Sequence, residues 1–139
     1  MRLLFFIFMI GILSPVSSQS PFKFHEAPHG LSQNTVTSIQ QDNQDFLWIG
    51  TRYGLNKFDG YQYQYFEHDA RDINSLSMNL TTDLAYEKSQ NQLWIGTYGG
   101  GVNRYDILAD SFHHYSSVTK FISDDHITDL YIDGQSILW

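Results

Sequence analysis

Phe46-Leu47-Trp48-Ile49-Gly50-Thr51 carries four apolar side chains in a row and no polar one before Thr51. A half-buried strand alternates with period two, because successive side chains point to opposite faces. This stretch offers water neither face. It also recurs. Leu47-Trp48-Ile49-Gly50-Thr51 returns as Leu93-Trp94-Ile95-Gly96-Thr97, 46 residues later, and Leu138-Trp139 begins a third copy 45 residues after Leu93. The flanks align as well. Thr37-Ser38-Ile39, Thr82-Asp83-Leu84 and Thr128-Asp129-Leu130 precede the three copies, and Asp42, Glu87 and Asp133 open the turn into each. Gly54-Leu55-Asn56-Lys57-Phe58-Asp59 and Gly101-Val102-Asn103-Arg104-Tyr105-Asp106 follow the first two, with one extra residue in the second intervening loop.

A fixed period of this length marks a repeat architecture. Each unit divides into four short strands, near residues 35–41, 46–51, 55–58 and 61–66 in the first and 80–86, 92–97, 102–105 and 111–115 in the second. Asn, Asp, Gly and Gln fill the turns between them. Four strands per period of about 45 residues predicts an all-β fold of β-propeller blades, each a four-stranded antiparallel meander. A blade lies between two neighbours, so its inner strands are dry on both sides. One face takes Trp48 and Gly50 and the other Leu47 and Ile49, with Gly50 leaving room for close approach of the next blade. Trp94, Gly96 and Trp139 hold the same repeat positions. Trp48 and Trp94 are expected to pack blade on blade. Tyr61-Gln62-Tyr63-Gln64-Tyr65 reads as an outer strand with tyrosines in contact and glutamines toward water.

The pattern N-x-[VT]-x-x-[IL]…LWIGT…G-[LV]-N-[KR]-[FY]-D resembles the two-component regulator propeller repeat. His68-Asp69-Ala70-Arg71-Asp72-Ile73-Asn74-Ser75-Leu76-Ser77 resembles that family's inter-blade connector, HDPxDPxSLS. Ala70 and Ile73 replace its prolines, which predicts a less stiff loop. The resemblance implies the periplasmic sensor region of a hybrid two-component histidine kinase or a related diguanylate cyclase. It implies a small-molecule or oligosaccharide ligand, often a glycan breakdown product, an inner-membrane anchor and a homodimer at full length. The chain itself would be a binding and signalling module without catalysis of its own. An exported propeller enzyme acting on polysaccharide and a protein-interaction scaffold are the alternatives.

Composition agrees with export. Arg2 followed by an apolar or Gly run from Leu3 to Leu13, then Val16-Ser17-Ser18, predicts a signal peptide over residues 1–18, cut after Ser18. The run falls short of the roughly 20 residues that span a bilayer. Residues 19–139 then form the N-terminal part of a propeller sensor domain, two full blades and part of a third. A ring needs roughly four to eight blades, so the chain reads as a fragment of a longer receptor that meets the membrane only through a C-terminal region beyond it. Phe22-Lys23-Phe24-His25 is expected to be the outermost strand of the final blade, closing the ring. Zero cysteines mean no reliance on disulfides. The formal charge of −7 and the lack of any Lys/Arg cluster exclude a nucleic-acid partner.

Few residues point to chemistry. His113 and His114 are adjacent and on a strand face opposite ways; His25, His29, His68 and His126 lack ligand spacing, so no metal is expected. Asp124-Asp125 occupies the position of Asn34 and Asn79, and a carboxylate that repeats once per blade reads as a turn-former rather than a catalyst. Tyr98-Gly99-Gly100-Gly101 lacks GxGxxG and a following helix. The sequon Asn79-Leu80-Thr81 reads as accidental. No cofactor or catalytic residue is predicted. The candidate ligand site is the pair of loops between second and third strands, Thr51-Arg52-Tyr53-Gly54 and Thr97-Tyr98-Gly99-Gly100. Tyr53 and Tyr98 suit stacking on a sugar ring, and Arg52 suits a carboxylate or sulfate.

Overall fold

A computed structural model describes His25 and residues 30–139. The expected signal peptide lies outside the described residues. So does most of the expected closing strand; His25 alone is described, and it is not in a strand.

Eight strands form two sheets: β1 (Val36–Gln41), β2 (Leu47–Thr51), β3 (Leu55–Phe58) and β4 (Tyr63–Phe66), then β5 (Thr81–Glu87), β6 (Gln92–Thr97), β7 (Val102–Asp106) and β8 (Ser111–Tyr115). Each sheet is an antiparallel meander in chain order, and no helix occurs among the described residues. The repeat extends to irregularities. Register shifts between Val36 and Ser38 in β1, and between Thr81 and Asp83 at the matching point of β5.

The turn before each Trp is built by its acidic residue. Asp42 Oδ1 accepts the N–H of Gln44 at 2.8 Å and of Phe46 at 3.1 Å, while Oδ2 accepts the indole N–H of Trp48 at 2.8 Å. Asp133 repeats all three contacts with Gln135, Ile137 and Trp139. Glu87 does not. Its hairpin is one residue longer, and its carboxylate accepts from Ser89 Oγ and Gln90 Nε2 instead.

The core lies at the seam between the sheets. Trp48, Leu55 and Phe66 on one face of the first sheet meet Leu84, Leu93, Ile95, Tyr105 and Phe112 on the second. The Trp48 ring stands 5.4 Å from that of Tyr105, and Phe66 stands 5.3 Å from Tyr105 and 5.9 Å from Phe112. Trp48, Leu55, Leu93 and Ile95 are wholly buried. Removing about 200 Å² of indole from water is worth about 5 kcal/mol. A Cβ on Gly50 would lie 2.8 Å from Thr81 Oγ1 of the second sheet, so the seam closes only over glycine. Gly96 meets Ile127 in the same way.

Two expectations need correction. Of the two tryptophans only Trp48 enters the seam; Trp94 points to the opposite side of its sheet, half-buried, with its ring 5.6 Å from Tyr115 and the Arg104 guanidinium 5.9 Å away. On that side residues 127–139 form no sheet and supply the isolated bridge Ile132↔Leu138. Tyr61 is 92% exposed and precedes β4, because the Asp59 carboxylate accepts the N–H groups of Tyr61 and Gln62 and folds both into a turn. The connector lacks its prolines yet is densely knit. Asp69 accepts from the backbone N–H and side chain of Arg71, and Asp72 from the N–H of Asn74. Ser75 Oγ lies within hydrogen-bonding distance of the Asp69, Asp72 and Leu76 carbonyl oxygens. Asn74 then docks the loop on the edge of β8 through the Phe112 N–H and the Asp110 carbonyl.

Candidate functional site

Thr51 ends β2, and both its N–H and its hydroxyl donate to the Gly54 carbonyl at 3.0 Å. Thr97 ties its longer loop to Gly101 in the same way, at 3.0 and 2.8 Å. Gly54 and Gly101 sit at φ of 89° and 72°, in the left-handed region where a side chain is strained. These loops grip the segment that leads into the next repeat. The Gly54 N–H donates to the Asn79 carbonyl at 2.7 Å, and those of Gly99 and Gly101 donate to the Asp125 carbonyl at 2.9 and 3.0 Å.

Asn79 and Asp125 do the structural work expected of turn residues. Asn79 Oδ1 accepts the His68 N–H at 2.6 Å, two residues beyond β4. Asp125 accepts the Ser117 N–H at 2.6 Å and its hydroxyl at 2.7 Å, two residues beyond β8. The second-to-third strand loops and the inter-blade segments therefore share one end of the sheets. Buried Asn56 and Asn103 hold the lead-in chain from below. Asn56 accepts the Ser32 N–H at 2.8 Å and donates to Ser32 Oγ, and Asn103 does both with Ser77. The sequence showed this Asn in both copies, and a polar residue recurring inside an otherwise dry strand was the available signal.

Arg52 and Tyr53 stand at this end on the first loop, both exposed, Tyr53 to 50%. The Arg52 guanidinium makes no ion pair among the described residues. Tyr98 stands on the second loop, 57% exposed, with its ring edge-on to His126 at 4.4 Å. No ring contact or hydrogen bond joins Tyr98 to Tyr53 among the described residues. His126 and Asp124 belong to the neighbourhood and were missed. His126 Nδ1 lies 2.8 Å from Asp124 Oδ1, and its N–H bonds the same oxygen at 2.9 Å. The His126 N–H and then its ring hold the Asp124 carboxyl below the ordinary carboxylate range. Two surface cavities lie away from the loops: one of 310 Å³ along Phe46, Lys57 and Gln64, and one of 470 Å³ along the connector between His68 and His114. Among the described residues no three His, Asp or Glu side chains stand close enough to share a metal ion. Among the described residues the loop end presents the Tyr53 and Tyr98 rings, the Arg52 guanidinium without an ion pair, and backbone polar groups.

Residues 30–53 match the two-component regulator propeller family. Histidine kinase P4 of Formosa agariphila is 40% identical over 72 residues, 52% of this chain and 5% of that protein. Among solved structures, an extracellular domain named for a hybrid two component system of B. thetaiotaomicron superposes with a TM-score of 0.72 at 32% identity, over 80% of this chain and 16% of the other. The extracellular domain named for a one component system of the same organism reaches 0.68 at 24% identity, over 84% and 17%, and so supports the fold alone. The chain thus spans a small part of each protein it matches. Its LWIGT copies fold as two four-stranded antiparallel sheets, the first of which draws β1 and β2 from the segment that matches the two-component regulator propeller family, and the chain is similar in fold and sequence to the extracellular domain named for a hybrid two component system.

Proposed function

We propose that this chain is the N-terminal part of a ligand-sensing propeller on the periplasmic side of a transmembrane signalling receptor. The reading rests above all on the 32% identity, across 80% of the chain, to an extracellular domain named for a hybrid two component system. The histidine kinase relative points the same way. In this reading a small or oligosaccharide ligand meets the loop end at Arg52, Tyr53 or Tyr98. Its differential affinity for two receptor arrangements shifts an output equilibrium across the membrane. The residues of this chain bind and transmit; catalysis belongs to an output module elsewhere in the receptor.

The gene beyond the codon for Trp139 tests the class. Further repeats, a membrane-spanning helix and a histidine kinase module are the expected result, and a glycosidase or lyase domain would overturn it. Calorimetry of the complete receptor against a panel of oligosaccharides tests the loop end. A heat of binding that Arg52→Ala, Tyr53→Ala or Tyr98→Ala reduces at least tenfold in affinity supports it. Wild-type binding by all three variants moves the site elsewhere.

A further inference from the structure

A cavity of 310 Å³ lies at the end of the first sheet away from the 51–54 loop, lined by Phe46, Lys57, Asp59, Gln62, Tyr63 and Gln64. Phe46 precedes β2 and Asp59 follows β3, which sets the cavity at the opposite end of the strands from Arg52 and Tyr53. Lys57 pairs with Trp48 across one ladder and with Gln64 across the next, so all three side chains share the face that carries Trp48 into the seam. The volume falls at the lower end of the range for small-molecule sites, about 300–1,000 Å³.

The polar groups around this cavity are short of partners. Half-buried Lys57 sets its Nζ 4.0 Å from the centre of the Phe46 ring and 5.1 Å from that of Trp48. The ring faces attract an ammonium but offer no lone pair to its N–H groups. Among the described residues the ammonium makes no hydrogen bond and no ion pair. The side-chain amides of Gln62 and Gln64 make no hydrogen bond among the described residues either. Asp59 Oδ1 accepts the N–H groups of Tyr61 and Gln62, while Oδ2 accepts nothing among the described residues. The Gln62 N–H, and then that of Tyr61, hold the Asp59 carboxyl below the ordinary carboxylate range. The repeat does not impose this set of groups. The second sheet has Gln92 at the position of Phe46, Arg104 at that of Lys57 and His113 at that of Gln64.

We propose that the cavity is a second ligand site, separate from the loop end, for a small hydroxylated carboxylate of the sugar-acid class. Lys57 takes the carboxylate in a charge-assisted hydrogen bond, the strongest polar contact the cavity can make. The two amides and Asp59 Oδ2 take hydroxyls, which donate and accept at once and so match an amide's paired donor and acceptor. An inorganic anion would satisfy Lys57 but set its acceptor oxygens against the amide oxygens and Asp59. A neutral sugar would leave the ammonium without an anion. The proposal stands on the cavity alone and holds whether or not a ligand meets Arg52, Tyr53 or Tyr98.

Calorimetry of the complete receptor with D-glucuronate, D-glucose and sulfate as probes tests it. Glucuronate should bind at least about tenfold more tightly than either of the others. Lys57→Met keeps an apolar stem over the two rings and removes the charge, and it should weaken glucuronate at least about tenfold. Gln64→Ala, at an exposed position of β4, should weaken it about threefold and decides the matter where Lys57→Met folds poorly. Arg52→Ala should leave the glucuronate affinity unchanged. No heat with glucuronate at millimolar concentration, or sulfate or glucose bound as tightly as glucuronate, overturns the proposal. So does wild-type affinity in either folded cavity variant. Loss of binding in Arg52→Ala with both cavity variants binding as wild type puts the carboxylate at the loop end, which overturns this proposal and leaves the proposed function standing.

Discussion

Trp48 and Trp94 sit at the same point of the same five-residue strand, yet Trp48 is wholly buried and Trp94 is half-covered. Local structure does not separate them. Both strands pair with the same registers, and each tryptophan has a cation from the third strand near its ring, Lys57 at 5.1 Å and Arg104 at 5.9 Å. The neighbour separates them. Trp48 faces a finished sheet, while Trp94 faces residues 127–139, which contribute one isolated bridge. In a repeat protein the sequence of one unit determines its shape, and the next unit determines how much that shape stabilises.

The largest expected effect follows directly. Trp48→Ala should cost about 3–5 kcal/mol in denaturant melts, and Trp94→Ala in the same chain about 1–2 kcal/mol, in proportion to its smaller buried area. Equal losses would break the comparison. Asp42→Ala comes next, at about 1.5–3 kcal/mol, because one carboxylate serves two turn N–H groups and the buried indole. Glu87→Ala should cost about 1 kcal/mol, since its partners are two side chains of its own hairpin. If the order reversed, the indole bond would not be what distinguishes the two turns.

Gly50→Ala forces a methyl within 2.8 Å of Thr81 Oγ1 and 2.9 Å of Thr37 Oγ1 and should destabilise by about 1–3 kcal/mol in the same melts. The smallest difference is between two threonines. Thr37 Oγ1 meets Thr81 Oγ1 across the seam at 3.2 Å, but Thr82, its counterpart, has a buried hydroxyl with no hydrogen-bond partner among the described residues. The third unit puts Ile127 where the second has Thr81. Thr37→Val should cost about 1 kcal/mol and Thr82→Val about 0 kcal/mol or slightly less than zero. A clear loss at Thr82→Val would show a partner for that hydroxyl.

Most of the fold was legible because the repeat shows each strand twice. LWIGT, the preceding acidic residue and the G-[LV]-N segment placed β2, β3, β6 and β7 to within a residue of where they stand. What pattern could not show was direction and coverage. Both tryptophans match the same template, and only the packing reveals that one looks into the seam and the other away from it. Tyr61 belonged to an alternating run, but the Asp59 carboxylate won its N–H for a turn. The connector was judged by its missing prolines, while side-chain bonds from Asp69, Asp72 and Ser75 carry the order there. At the loop end, Arg52, Tyr53 and Tyr98 were visible as exposed loop residues. His126 beside Tyr98 was not, because the two meet only when the third unit's lead-in crosses the second loop.

The seam itself is the central claim, and a double-mutant cycle between its two sides tests it most directly. Trp48→Leu and Tyr105→Leu, singly and together, isolate the contact between rings 5.4 Å apart on different repeats. The predicted coupling is about 0.5–1.5 kcal/mol. Additivity within about 0.3 kcal/mol would mean that the two repeats do not meet through Trp48.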